Sequence, residues 1–183
     1  MELSSDMILC SLIFDEMAIR KYVQWNGKEI VGFIDLGNGV DDNSLPVASE
    51  VLMFIIVPLD AGWKISIPYF LIDGLTADVK CNLLLEDITR LYAVNVRVAS
   101  VVCDGPATNF SVASKLGASI AVNDIRPYFR HPNNGDWKVY MIFDAAHMLK
   151  LTRNTLQKKS ILVNKAGKQI RWDYIVQLHE LQD

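Results

Sequence analysis

The sequence predicts an α/β domain built on a mixed sheet, a three-strand meander followed by βαβ crossovers. Three observations predict it. Residues 7–14 (MILCSLIF) form a nearly unbroken apolar run, as a strand covered on both faces does. Two more strand-like runs, 50–59 and 63–72, come before any helical period. From Thr76 onward helix-like and strand-like stretches alternate. The chain has 183 residues, 51% hydrophobic and 21% charged, which suits one domain with a sizeable core and excludes a disordered one. A net charge of -3 gives no global sign of nucleic-acid binding, although a local basic surface stays open.

Each element has its own signal. After the first strand, YVQWNGKEIVGFI carries Asn26-Gly27 between two strand-like segments, a hairpin signature. Residues 35–49 are rich in Gly, Asn, Asp and Ser and predict a loop. EVLMFIIVPL (50–59) and WKISIPYFLI (63–72) predict an antiparallel pair, with Pro68 pointing to a free edge or an irregularity. Ala77, Cys81, Leu84, Ile88 and Leu91 recur at helical spacing behind Thr76, a suitable N-cap. NVRVASVVC (95–103) predicts a fourth strand, 106–116 a short helix, and 138–143 (KVYMIF) a fifth strand. HPNNGD predicts a turn, and two further helices are expected over 145–156 and 172–182. The first, fourth and fifth strands should run parallel through right-handed crossovers. This is the element order of the RNase H-like fold, although order alone leaves flavodoxin-like and other α/β folds open.

Cys10, Cys81 and Cys103 are odd in number and scattered through apolar runs, which predicts buried thiols rather than a disulfide framework. No apolar stretch is long enough to span a membrane.

Two acids directly follow apolar runs, Asp15 after LIF and Asp104 after SVVC. If the first and fourth strands are parallel neighbours, these carboxylates meet at one sheet edge, where ligands favour open α/β sheets. Two close carboxylates repel and call for a cation, and oxygen-only ligation suits magnesium or manganese. Two such ions about 4 Å apart serve phosphodiester chemistry. Acids after strands also simply start turns, and the residues alone leave both readings open. Asp144 opens DAAHMLKLTRN, where it can cap a helix, and His147 stands one turn on. One Asp-His pair falls short of a zinc site.

LIFDEMAIRK, YFLIDGL, VVCDGPATNF and FDAAHMLKLTRNTL, taken in order, resemble the P-element transposases and the related THAP-domain transposase-like proteins. The resemblance covers nearly the whole chain. It implies a DDE/D-type enzyme on an RNase H-like fold that cuts and joins DNA with magnesium or manganese. Asp15 then matches the first catalytic, metal-binding carboxylate and Asp104 the second. Asp144 and His147 fall on the D-x-x-H signature. DNA is the implied partner, a homo-oligomer the implied full-length form, and the nucleus the implied location.

The resemblance also marks departures. The family's third carboxylate, a glutamate, lies beyond a large helical insertion that binds GTP in the P-element enzyme. Residues 1–156 are expected to form the catalytic domain, and 157–183 the start of that insertion, with IRWDYIVQLHELQ as its first helix. Glu180 comes too early to be the third carboxylate. GTP is expected only with the complete insertion, and the THAP zinc finger and oligomerising segment have no counterpart here. The sequence is therefore expected to be a fragment, a truncated gene product or a domesticated remnant. A catalytically inactive DNA- or protein-binding module and an unrelated RNase H-like nuclease are the competing readings. From Lys138 to Arg171 the only acid is Asp144, so Lys150, Arg153, Lys158 and Lys159 are candidate phosphate contacts. A solvated helix face would show the same pattern.

Overall fold

A computed structural model describes residues 7–28, 30–37, 46–121 and 123–182. The predicted loop at 35–49 falls outside the described residues over 38–45. The chain divides into two compact units, residues 1–142 and 143–183.

In the first unit, β1 (Ile8–Ala18) leads into a small hairpin, β2 (Gln24–Trp25) and β3 (Ile30–Val31). Then come β4 (Glu50–Pro58), β5 (Ile65–Ile72), α1 (Ala77–Ala93), β6 (Val96–Cys103) and α2 (Ala107–Leu116). A second hairpin, β7 (Ser119–Ala121) and β8 (Asp124–Arg126), precedes β9 (Tyr128–His131) and β10 (Asn134–Phe143). The main sheet has the order β5-β4-β1-β6-β10-β9. β1 and β4 are antiparallel, as are β4 and β5, while β1 and β6 are parallel. This is the RNase H-like order, with the predicted meander and crossover. The sheet carries a sixth strand, β9, antiparallel to β10, where five were expected. Pro68 lies on edge strand β5, close to a register shift between Met53 and Ile55 of its partner.

One face of the sheet makes the core. Cys10, Leu12 and Phe14 alternate along β1 into this face, beside Leu52, Phe54 and Ile56 of β4. Phe54 lies 5.8 Å from Phe14 and 6.1 Å from Phe70, ring centre to ring centre. α1 packs on β6 and α2, burying Cys81, Leu84, Ile88 and Leu91 at the predicted spacing. Thr76 caps α1 by accepting a bond from the Val79 amide at 3.4 Å. The three cysteines are buried and free.

In the second unit, α3 (Ala145–Lys159) is followed by a hairpin of β11 (Ile161–Val163) and β12 (Gln169–Arg171), then α4 (Asp173–Glu180). Asn164 builds the turn, its Oδ1 accepting from the Ala166 and Lys168 amides at 2.9 Å. No described helix is long and apolar enough to cross a membrane.

Candidate active site

β1 does not end before Asp15. Its ladder with β4 continues to Ala18, which partners Glu50, so Asp15 is a strand residue rather than the start of a turn. Asp104 directly follows β6, as its sequence position implies. The parallel register brings the two together. Ile13 partners Val102, an offset of 89 positions (102 − 13), and Asp15 and Asp104 share the same offset (104 − 15). The paired residues end at Ile13 and Val102; carried on by two residues, the same offset would set Asp15 opposite Asp104, at a strand spacing of about 4.8 Å. Burial first, then Asp104 and Asp15, push the Cys103 thiol up to about 12, against the opposing influence of Lys80.

Asp15 is exposed and Asp104 half-buried. Asp15 Oδ1 accepts from the Glu16 amide at 2.9 Å. Asp104 Oδ1 accepts from Asn109 Nδ2 at 2.8 Å, and the same nitrogen lies 3.3 Å from the Asp104 carbonyl. Asn109 is itself buried in the first turns of α2. Its Oδ1 stands 3.5 Å from Lys80 Nζ, the long limit of a hydrogen bond. Lys80 is buried on α1, and its Nζ lies 2.8 Å from Glu16 Oε1, an ion pair poorly aligned for a hydrogen bond. Glu16, Lys80, Asn109 and Asp104 thus form a polar chain that links the residue after Asp15 to the second acid. The buried Lys80 ammonium has its counter-charge in Glu16.

Lys80 and Asn109 were not among the residues singled out from sequence. Lys80 does leave a trace, since it occupies the i−4 position to Leu84 on the buried stripe of α1, where a cation needs a partner. Asn109 leaves none, because its bond to Asp104 depends on how α2 turns away from β6.

Two carboxylates form an all-oxygen donor pair, which suits Mg2+ completed by phosphate oxygens and water. Among the described residues, no group of three His, Cys, Asp or Glu stands ready to hold a metal ion without such help. The acids lie on an open sheet edge. The cleft of about 540 Å³ between α2 and the β7–β8 hairpin, lined by Phe110, Ile120 and Arg126 among others, contains neither of them.

Asp144 and His147 belong to the second unit. Asp144 is the N-cap of α3, its Oδ2 accepting from the His147 amide at 2.8 Å. Lys150, Arg153, Lys158 and Lys159 are all exposed on α3. Lys158 and Lys159 occupy its last turn, where the helix dipole favours cations. Arg153 also bonds Asn154 Oδ1, at 2.7 and 3.1 Å.

Residues 146–183 match the family model of the TNP-like GTP-binding insertion domain. DNA transposase THAP9 of Homo sapiens is 28% identical over 179 residues, covering 95% of this chain and 20% of that protein. The Transposable element P transposase of Drosophila melanogaster is 23% identical over 166 residues, covering 88% of this chain and 19% of that protein. The chain therefore spans about a fifth of the length of these curated relatives. A solved structure, the Drosophila P element transposase strand transfer complex, matches with a TM-score of 0.67 over 94% of this chain and 34% of that one. At 22% identity this likeness speaks for the fold alone. Residues 1–117 match the TNP-like RNase H N-terminal domain, well over half of the sequence, and the chain belongs to that transposase-like family.

Proposed function

We propose that the chain is part of a DDE/D-type DNA transposase core that cuts and joins DNA strands with a divalent cation. The parallel register of β1 and β6, whose offset Asp15 and Asp104 share, supports this reading. These two carboxylates would hold Mg2+ or Mn2+ as the first two acids of the catalytic set. Bound there, such an ion activates a water or a 3′-hydroxyl and offsets charge on the leaving oxygen. Asn109 holds the Asp104 carboxylate in one orientation, and Lys80, paired with Glu16, stands next to Asn109.

Around this site, residues 1–156 serve as the catalytic domain and 157–183 begin the helical insertion, with GTP binding a property of the complete insertion. Asp144 orders the start of α3 through its cap to His147, so the D-x-x-H pair organises structure rather than completing the metal site. Lys150, Arg153, Lys158 and Lys159 hold DNA phosphates. The full-length form acts as a homo-oligomer in the nucleus.

The exposed cations of α3 favour one second reading, a DNA-holding module without turnover, since phosphate binding needs no metal. A calorimetric Mg2+ and Mn2+ titration, paired with nicking of supercoiled plasmid, tests both. Saturable metal binding is expected, weakened about tenfold or more by Asp15→Asn and by Asp104→Asn, a loss of about 1.4 kcal/mol. Unchanged binding in both variants removes the site assignment. DNA retention in chelator without any metal binding favours the second reading.

A further inference from the structure

The segment just beyond Asp15 is unusual. From Arg20 to Lys28 every residue is exposed, and the sequence there holds three cations, with one acid, Glu29, next in the chain. Two large aromatics stand in the same stretch, Tyr22 at 59% exposure and Trp25 at 60%. A tryptophan and a tyrosine left this bare on a short hairpin do nothing for the core.

The backbone here is well defined by its contacts. The Ile19 amide bonds the Ser49 carbonyl at 2.9 Å, carrying the β1 ladder past its end. β2 pairs with β3 through Gln24–Val31 and Trp25–Ile30. Asn26 Oδ1 accepts from the Lys28 amide at 2.9 Å, and Gly27 takes φ 97° at the tip. At the base, Gly32 (φ 112°) comes so close to Tyr22 that an added Cβ would sit 2.0 Å from its carbonyl oxygen. The returning chain is tied to the sheet by the Ala48 amide on the Gly32 carbonyl at 2.8 Å. The hairpin therefore stands at the sheet end that carries Asp15. From Asp15 to Ala18 the strand covers about 10 Å.

We propose that this hairpin holds an unpaired stretch of the DNA strand being processed, with Trp25 stacked on a base and Arg20 and Lys28 on flanking phosphates. Stacking on an aromatic ring beside cations is how single strands are held without sequence preference. Charge complementarity selects a polyanion, and the bare rings select one whose bases are unpaired. Lys21 contributes less, because it lies 3.3 Å from Asp73. Tyr22, with the Arg20 guanidinium 5.9 Å from its ring centre, offers a second stacking surface. This inference rests on the DNA-processing reading above, but it needs no metal.

The test is fluorescence anisotropy in chelator with the whole chain, using a labelled single-stranded oligonucleotide, the blunt duplex of the same sequence, and the matching RNA strand. The single strand is expected to bind more tightly than the duplex. Trp25→Ala should weaken single-strand binding about tenfold, and Trp25→Phe should keep most of it. Lys28→Ala should lower the salt slope by about one phosphate contact on both DNA probes. Circular dichroism verifies that each variant is folded, and Trp25→Gln serves as a polar replacement should Trp25→Ala not be. The proposal is overturned if the single strand does not bind, if removing the ring changes nothing, or if it weakens duplex and single strand equally. Tighter binding of RNA than DNA overturns the choice of occupant. Asp15→Asn should bind the strand like the parent. Loss of nicking with strand binding intact therefore sinks only the nuclease reading, and the reverse result sinks only this one.

Discussion

Lys80 Nζ on α1 lies 2.8 Å from Glu16 Oε1 on β1, with 3% of the lysine side chain exposed and 26% of the glutamate. A cation this buried is tolerated only beside an acid. Glu16 directly follows Asp15, so the pair ties the strand carrying the first acid to the helix layer beneath it.

Glu16→Gln leaves Lys80 buried without its counter-charge. Removing one partner of such a pair costs about 3 kcal/mol, the low end of the usual range because Glu16 is partly exposed. The double variant Glu16→Gln/Lys80→Met should lose less than the sum of the single losses, by about 1 kcal/mol or more. Urea unfolding followed by circular dichroism measures all three. Additive losses would mean that the two side chains do not interact.

The core makes a more ordinary prediction. Phe54 is 1% exposed and sits between Phe14 and Phe70. Phe54→Ala should cost about 4 kcal/mol through lost burial and the cavity left behind. Tyr69→Ala, on the neighbouring strand but 65% exposed, should stay within about 0.5 kcal/mol of the parent. Equal losses in the two melts would contradict the assignment of the buried face.

The particular residues show what the sequence could and could not reveal. Asp15 and Asp104 are legible because each follows an apolar run, and apolar runs report burial. Burial is not hydrogen bonding, however, and the β1 ladder continues three residues beyond Asp15, through the exposed Met17 to the exposed Ala18. β7 and β8 are short and mostly exposed, and β9 has only four residues, so their alternation is too weak to mark strands. Thr76 and Asp144 could be recognised as caps because capping is local to four residues. Lys80 acts over a separation that no local pattern encodes, 64 positions from Glu16 (80 − 16), and Asn109 reaches Asp104 only through the way α2 turns away from β6.

Asp144 offers a direct separation of cap from charge. Its Oδ2 takes the His147 amide at 2.8 Å. Asparagine caps helices as well as aspartate does, whereas alanine cannot cap. Asp144→Asn should leave α3 within about 0.5 kcal/mol of the parent, and Asp144→Ala should cost about 1 kcal/mol. Amide exchange of the first turn of α3 gives the readout. Equal protection in Asp144→Ala and the parent would dismiss the cap. If Asp144→Asn loses activity with the cap intact, the carboxylate charge has a use beyond helix initiation.

Asp87 makes the stability of the chain depend on pH in the less common direction. Its side chain is buried on α1, and Oδ2 has no hydrogen-bond partner among the described residues. Burial pushes its pKa from 3.8 up to about 6, and Glu86 adds to the rise while Arg90 opposes it. Between those two values the folded chain holds a proton that the unfolded chain has released, so stability falls as pH rises. The full contribution is present below about pH 4 and is lost as pH passes through about 6, a change on the order of 2–3 kcal/mol. Asp87→Asn cannot titrate and removes this slope. Urea midpoints for parent and variant should nearly agree at the acid end of the window, and the variant should be the more stable above it. A stability difference that stays constant across the window would show that Asp87 does not titrate there.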